Sequence, residues 1–465
     1  MQVRRGRTLG ALAALAAATA ALLAIPADGA DAAADAARRS RGEPTYRQSI
    51  EIAVADIQAY WRVTYPDVYG SRYQPVPPKR VIAARPGVKI PRCQGQKLSY
   101  RDVSDNAAYC YISNFVVFDD VGLMPDYYDR FGPFAVGMVF AHEWGHAIQD
   151  RAGVDEMDLP SVYTELQADC FAGAWTADVS RDPGDVAYDP GDLEAAVAAL
   201  IELRDAPGSS ADRQGAHGSA FDRVSAFQDG FLQGAERCAS YVDDPPLVFQ
   251  IPFATEEEAA SGGNVAAEDV IPLTVELIND FYSQVEPGYV PLTIDDIYSF
   301  DSRRPTTIPR CGGSRPAVDV VRNRVYFCID DGYIAFDEPF LQGVYDDIGD
   351  FGVASLLANP YATYVQVHQG IPGAEDNEIE AVLQADCYTG GWVAAFHNGY
   401  LRAGTLSAGD LDEFVQAYLL YSRARGIDAD VPITFVRVNF FRRGFLQGYN
   451  SCLYDDIVAA VAALD

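Results

Sequence analysis

Positive charge is scarce in this 465-residue sequence, where 35 Lys and Arg stand against 66 Asp and Glu for a formal net charge of −31. Such a chain is repelled at long range by nucleic acid and by anionic membrane surfaces, so both are excluded as expected partners. No Cys-x-x-Cys pair occurs among the 8 cysteines, which removes the commonest thiolate zinc sites. Acidic pairs such as Asp330-Asp331 and Asp346-Asp347 lack the regular ligand spacing of a calcium loop. Past the N-terminus no apolar run is long enough to span a bilayer. Apolar residues themselves are not in short supply: 49% hydrophobic with 22% charged excludes a mostly disordered chain. Because single cores stop growing near roughly 250 to 300 residues, at least two domains are expected.

The N-terminus reads as an export signal. Arg4, Arg5 and Arg7 precede an apolar run from Leu9 to Ile25, and Ala30-Asp31-Ala32 offers a small-x-small cleavage site. Residues 1–32 are therefore expected to be removed and the protein secreted, with an uncleaved membrane anchor as the alternative. The Arg4-Arg5 pair does not choose between export routes.

Self-comparison shows that the region after about Tyr46 is repeated after about Ile271. Ile90-Pro91-Arg92-Cys93 returns as Ile308-Pro309-Arg310-Cys311, Leu166-Gln167-Ala168-Asp169-Cys170 as Leu383-Gln384-Ala385-Asp386-Cys387, and Gly230-Phe231-Leu232-Gln233-Gly234 as Gly444-Phe445-Leu446-Gln447-Gly448. The offsets are 218, 217 and 214, so one ancestral unit was duplicated with short loop changes. Residues 46–242 form the first copy and 269–458 the second, with 243–268, rich in Glu, Ala, Gly and Ser from Ala254 to Asp269, as a flexible linker. Intramolecular packing of the two copies is a further expectation. The cysteines obey the same register, Cys93, Cys110, Cys170 and Cys238 matching Cys311, Cys328, Cys387 and Cys452. In an exported chain this reads as disulfides, with Cys93–Cys110, Cys170–Cys238, Cys311–Cys328 and Cys387–Cys452 favoured by proximity, although sequence does not prove connectivity.

Periodicity in the first copy predicts helices over Ile50–Tyr65, Phe134–Asp150, Ser161–Val179 and Asp192–Asp205, a strand over Tyr109–Phe118 and a loop over Gly153–Pro160. The fold class is α+β, helix-dominated, with a small β-sheet in each copy.

The chemistry concentrates in Ala141-His142-Glu143-Trp144-Gly145-His146. On a helix, residues four apart sit about 40° apart around the axis, so both imidazoles can grip one metal. Glu143 can reach a water on that metal and stands at the general-base position. With 5 histidines in the chain, a chance H-E-x-x-H is expected in on the order of a few per thousand such sequences. Glu165, 19 residues beyond His146 on the next helix, is the candidate third ligand. Asp169, one turn later, can hydrogen-bond a ligand imidazole. His217 is a candidate donor to the oxyanion of a tetrahedral intermediate, with Arg223 as an alternative.

The duplication supplies a control within the chain. His142, Glu143, His146 and Glu165 become Asn359, Pro360, Thr363 and Val382, and His217 becomes Val431. Gln167, Asp169, Gly173, Trp175, Arg223 and Gly230 persist as Gln384, Asp386, Gly390, Trp392, Arg437 and Gly444. Residues lost together behave as a functional unit; those kept without a metal serve the fold, which makes Asp169 and Arg223 mainly structural. Pro360 is expected to strain the helix interior.

These residues resemble a bacterial family of neutral zinc metallopeptidases with a zincin-like fold: Cys93 and Cys110 before a strand, the Ala141–Gln149 helix, Glu165–Cys170, and His217-Gly218-Ser219 with Arg223 and Gly230. The spacing from the histidine pair to Glu165 and Asp169 also looks like that of the gluzincin peptidases. The resemblance implies one Zn2+ in the first copy, held by His142, His146 and Glu165, with Glu143 as base for hydrolysis of a peptide or protein substrate. Ala147 stands where the family often has another histidine, and the metal-free second copy is an addition to the family pattern. The alternative is an extracellular zinc-containing binding or regulatory protein without enzymatic activity.

Overall fold

The structure, a computed structural model, describes residues 43–189, 191–402, 404–425 and 433–462, with side chains left undescribed over 420–425 and at 433. The export segment 1–32 and Val431 lie outside the described residues. The chain divides into two units, Met1–Ile251 and Pro252–Asp465.

In the first unit, helix α1 (Tyr46–Tyr69) starts at a capping box in which Thr45 and Gln48 satisfy each other's backbone donors. A three-stranded sheet follows, made of β1 (Val81–Ala84), β2 (Ala107–Cys110) and β3 (Phe115–Asp119) in the order β1-β3-β2. Strand β1 runs parallel to β3 with Val81 opposite Val116, and β2 runs antiparallel with Tyr109 opposite Val116. Helices α2 (Leu123–Phe131), α3 (Pro133–Ala152), α4 (Ser161–Arg181), α5 (Gly191–Glu202) and α6 (Ala220–Ser240) complete the unit. Pro133 opens α3 where its missing N–H is harmless, and Gly153 closes it in the left-handed conformation. Between them Phe134 to Ala141 are all buried, so α3 is the central helix of the core.

The second unit repeats this plan after a short helix α7 (Glu256–Ser261). It contains α8 (Ala267–Val285), β4 (Ile297–Phe300), α9 (Val318–Val321), β5 (Val325–Cys328), β6 (Tyr333–Asp337), α10 (Glu338–Asp347), α11 (Asp350–Gln369), α12 (Ile379–His397), α13 (Asp410–Arg425), α14 (Ile433–Gln447) and α15 (Tyr454–Ala462). Its sheet order is β4-β6-β5, with β4 parallel and β5 antiparallel to β6. The four disulfides are Cys93–Cys110, Cys170–Cys238, Cys311–Cys328 and Cys387–Cys452.

Two expectations need correction. The apolar stretch Tyr109–Phe118 is not one strand: Ile112 and Asn114 take positive φ values of 62° and 49° and turn the chain into a β2–β3 hairpin. The stretch 243–268 is not a free linker, because the backbone N–H groups of Phe249 and Gln250 donate to Asp222, and Glu256–Ser261 is helical behind a Thr255 cap. Helix α11 continues through Pro360.

Helices α4 and α6 cross at very close range. A Cβ placed on Gly230 would lie 1.7 Å from the Cys170 carbonyl oxygen, and one on Gly173 would lie 2.0 Å from that of Phe227. The second unit keeps the same contact through Gly390 and Gly444. Replacing a mid-helix glycine by alanine ordinarily stabilises; here the sign reverses. We expect Gly230→Ala to destabilise by about 3 kcal/mol, lowering the melting temperature by roughly 6–12 °C in calorimetry.

Candidate metal centre

Helix α3 carries His142, Glu143 and His146, and α4 carries Glu165 and Asp169 one turn apart. The two helices meet at Gly145, where a Cβ would come within 2.7 Å of the Ala168 backbone, so only glycine allows this approach. Glu165 is thereby brought to the histidines: its Oε2 lies 3.2 Å from His142 Nε2 and its Oε1 lies 3.5 Å from His146 Nε2. The two Nε2 atoms are 3.2 Å apart.

The outer nitrogens of both rings are already committed. His142 Nδ1 is 2.7 Å from Asp169 Oδ1. In the second unit the matching Asn359 donates its Nδ2 to Asp386 at 2.8 Å, so this place calls for an N–H donor and His142 carries its proton on Nδ1. His146 Nδ1 is 2.9 Å from Gln149 Oε1. The Gln149 amide is oriented by donating from Nε2 to Thr164 O at 2.6 Å and to Gln167 Oε1 at 3.0 Å, which leaves Oε1 to accept from His146. With both rings neutral, two lone pairs and a carboxylate therefore converge on one point. Only a cation, a proton or a metal, relieves that arrangement. Burial by itself lowers the His146 pKa, but the Glu165 carboxylate more than offsets it and raises the group to about 10. Burial likewise works against His142, and Asp169 outweighs it to give a net rise. The Glu165 carboxyl, which burial would raise, is held well below the usual carboxylate range chiefly by His146 and His217.

Glu143 is buried, and burial pushes its carboxyl up against the opposing influence of the two histidines. The backbone N–H of Tyr109 on β2 faces it. Its Oε2 is buried with no hydrogen-bond partner, and Glu143 lines a cleft together with Ala107, Tyr109, His142, His146, Glu165 and His217. A free acceptor beside a cation-seeking cluster fits a group that handles the proton of a bound water.

His217 reaches this cleft on the loop before α6 and is fixed by Asp205. Asp205 accepts from the His217 backbone N–H at 2.8 Å, from Gln250 Nε2 at 3.0 Å and from Arg213 at 2.7 Å, and its Oδ1 lies 3.4 Å from His217 Nδ1. Burial would raise the Asp205 carboxyl; hydrogen bonds from His217 and Gln250 hold it at about 2. Arg223 grips Asp169 with two bonds of 2.8 Å, and Arg437 repeats this on Asp386 at 2.7 Å where no histidine is present. The pair is thus part of the fold, while Asp169 in addition touches His142. Gln149 and Asp205 were not singled out from sequence. Gln149 carried a signal, since the repeat keeps it as Gln366, which makes the same bonds to Ala381 O and Gln384.

His142, His146 and Glu165 present their ligand atoms close enough together that they could hold one metal ion. Sequence comparison is more specific: the family described as "Putative neutral zinc metallopeptidase" matches residues 30–241, all of them within the first unit. "Uncharacterized protein YpfJ" of Escherichia coli strain K12 is 32% identical over 140 residues, covering 25% of this chain and 48% of its own length. "Uncharacterized protein Mb2605" of Mycobacterium bovis and "Uncharacterized protein Rv2575" of Mycobacterium tuberculosis strain H37Rv are each 31% identical over 150 residues, covering 27% of this chain and 51% of their own length. The chain thus spans about half the length of these curated relatives. No solved structure matches the chain.

Two measurements test the site. In metal-free protein the His146 contribution to stability is complete below its ordinary pKa of 6.5 and is lost as pH rises through about 10, because the folded state holds the extra proton. Denaturant unfolding should therefore weaken over that window, and zinc should flatten the dependence. Asp169→Asn strips the buried Arg223 of its counter-charge, so a loss of about 3 kcal/mol is expected, with metal affinity falling about 10–100-fold in competition titrations. Asp386→Asn should cost similar stability with no effect on metal.

Proposed function

We propose that the protein is a secreted zinc-dependent peptidase whose first unit hydrolyses peptide bonds. The observation that carries this reading is the convergence of His142 Nε2, His146 Nε2 and the Glu165 carboxylate on one point, beside the unpartnered Oε2 of Glu143. His142, His146 and Glu165 would hold one Zn2+, which when bound supplies Lewis acidity that lowers the pKa of water to about 7 and polarises a carbonyl. Glu143 takes the proton of the attacking water at Oε2 and delivers it to the departing amine nitrogen. His217, oriented by Asp205, donates to the developing oxyanion. Asp169 and Gln149 keep both imidazoles turned inward.

A peptide is the substrate class that best suits the cleft. Strand β2 is at the sheet edge, bonded on one side to β3. Hydrogen-bonding directions alternate along an antiparallel strand, so with the Tyr109 N–H turned toward Glu143 the backbone of Ala107 also faces outward and can pair with an extended chain. Export fits the N-terminal segment and the four disulfides, which persist in oxidising compartments. Among the described residues no helix is long and apolar enough to cross a membrane. The second unit, with Asn359, Pro360, Thr363 and Val382 in place of the site, would serve in binding or regulation.

The test is chelator-sensitive cleavage of a generic peptide library by the full chain. Glu143→Gln should keep one zinc per chain and lower kcat by at least about 1,000-fold. Retained proteolysis by that variant would exclude the mechanism; zinc binding with no cleavage by the parent protein would favour a non-enzymatic binding role.

A further inference from the structure

The edge strand is tied to the metal helix by a polar clamp that the second unit lacks. Tyr109 Oη lies 2.5 Å from Asp150 Oδ2, accepts from Arg151 at 3.2 Å, and is 3.1 Å from Asn114 Oδ1. Arg151 closes the ring by donating to Asn114 Oδ1 at 2.9 Å. Asp150 and Arg151 lie in the last turn of α3, and Asn114 ends the β2–β3 turn with a positive φ that asparagine tolerates well. Four side chains from three segments thus form one network around a single hydroxyl.

In the repeat, Tyr109, Asn114, Asp150 and Arg151 become Phe327, Gly332, Val367 and His368. Every polar member is replaced; even the hydroxyl is removed from an otherwise conserved aromatic ring. The scaffold nevertheless persists: β5 keeps its register on β6, and Phe327 packs on Tyr364 of α11 with ring centroids 5.4 Å apart. His368 turns back to the Tyr364 carbonyl of its own helix. Packing a strand on this helix therefore does not need the clamp. The clamp is lost together with the metal cluster and the general base, and it holds the strand whose Tyr109 N–H faces the Glu143 carboxyl.

We propose that Tyr109, through Asp150, Arg151 and Asn114, is a positioning residue that fixes strand β2 against α3 and so sets the orientation of Glu143. The Tyr109 hydroxyl bonds to Asp150, Arg151 and Asn114 and to none of the proposed metal ligands. It acts through its own backbone, whose place is determined by where its hydroxyl is anchored. This rests on the peptidase reading for its kinetic consequence, but its structural consequence is independent of that reading.

The experiment compares Tyr109→Phe, Asp150→Asn and the double variant in the full chain, with zinc content, melting temperature, peptide cleavage and amide hydrogen exchange measured on each. We expect each single variant to bind one zinc per chain and to lower kcat about 10–100-fold. Exchange across residues 107–110 should rise several-fold in both zinc-loaded and metal-free protein. The double variant should be no worse than the weaker single variant, because both changes open the same ring. The proposal is overturned if Tyr109→Phe keeps kcat within twofold and leaves exchange over 107–110 unchanged, or if the two losses multiply. Absence of any cleavage by the parent chain would defeat the peptidase reading instead, and the exchange measurement would still decide whether the clamp holds the strand. Should Tyr109→Phe fold poorly, Asp150→Asn carries the same comparison with the aromatic ring intact.

Discussion

Two imidazole nitrogens facing each other at 3.2 Å, each with its opposite nitrogen committed to an acceptor, form the constraint around which the first unit is organised. Left alone, two lone pairs and the Glu165 carboxylate repel one another in a partly buried cleft where water screens them less than in bulk solvent. The fold accepts that penalty by building a supporting layer that gives neither ring an alternative. Asp169 is itself held by Arg223, and Gln149 by Thr164 and Gln167. The approach at Gly145 and the disulfide Cys170–Cys238 keep the carrying helices in place. An arrangement of this kind is stable only when a positive charge sits within it.

The second unit shows which parts of that layer belong to the scaffold. It retains the Asp386–Arg437 pair, the Gln366–Gln384 network, the close helix crossing at Gly390 and Gly444, and both disulfides. Asn359 takes over the donor role of His142 toward Asp386, so the buried carboxylate stays satisfied after the imidazole is gone. A buried acceptor cannot be abandoned cheaply, and asparagine is the smaller side chain that still reaches it. The positions at which the two units differ thus respect the hydrogen bonds of the core.

Much of the site was legible in the sequence, because its residues lie on two helices where spacing along the chain translates directly into a shared face. His142, Glu143 and His146 follow from the helical period, and Glu165 with Asp169 from the same rule on the next helix. What remained hidden depends on contacts between segments. Asp205 orients His217 only because a loop and the stretch around Gln250 converge on it. Strand β1 is short and half-exposed, and its parallel pairing with β3 has no local signature. The break between β2 and β3 was missed because Ile112, a poor candidate for positive φ, occupies the turn. Neither Tyr109 nor Arg151 stands out singly; their shared fate in the repeat becomes meaningful once the structure joins them.

The most direct test of the central claim is zinc K-edge X-ray absorption on the full chain loaded with one equivalent of metal. The account predicts two imidazole nitrogens near 2.0 Å with the remaining scatterers oxygen, and loss of the imidazole signal in His142→Ala. Sulfur in the first coordination sphere, or zinc that dialyses away without leaving an ordered shell, would contradict it.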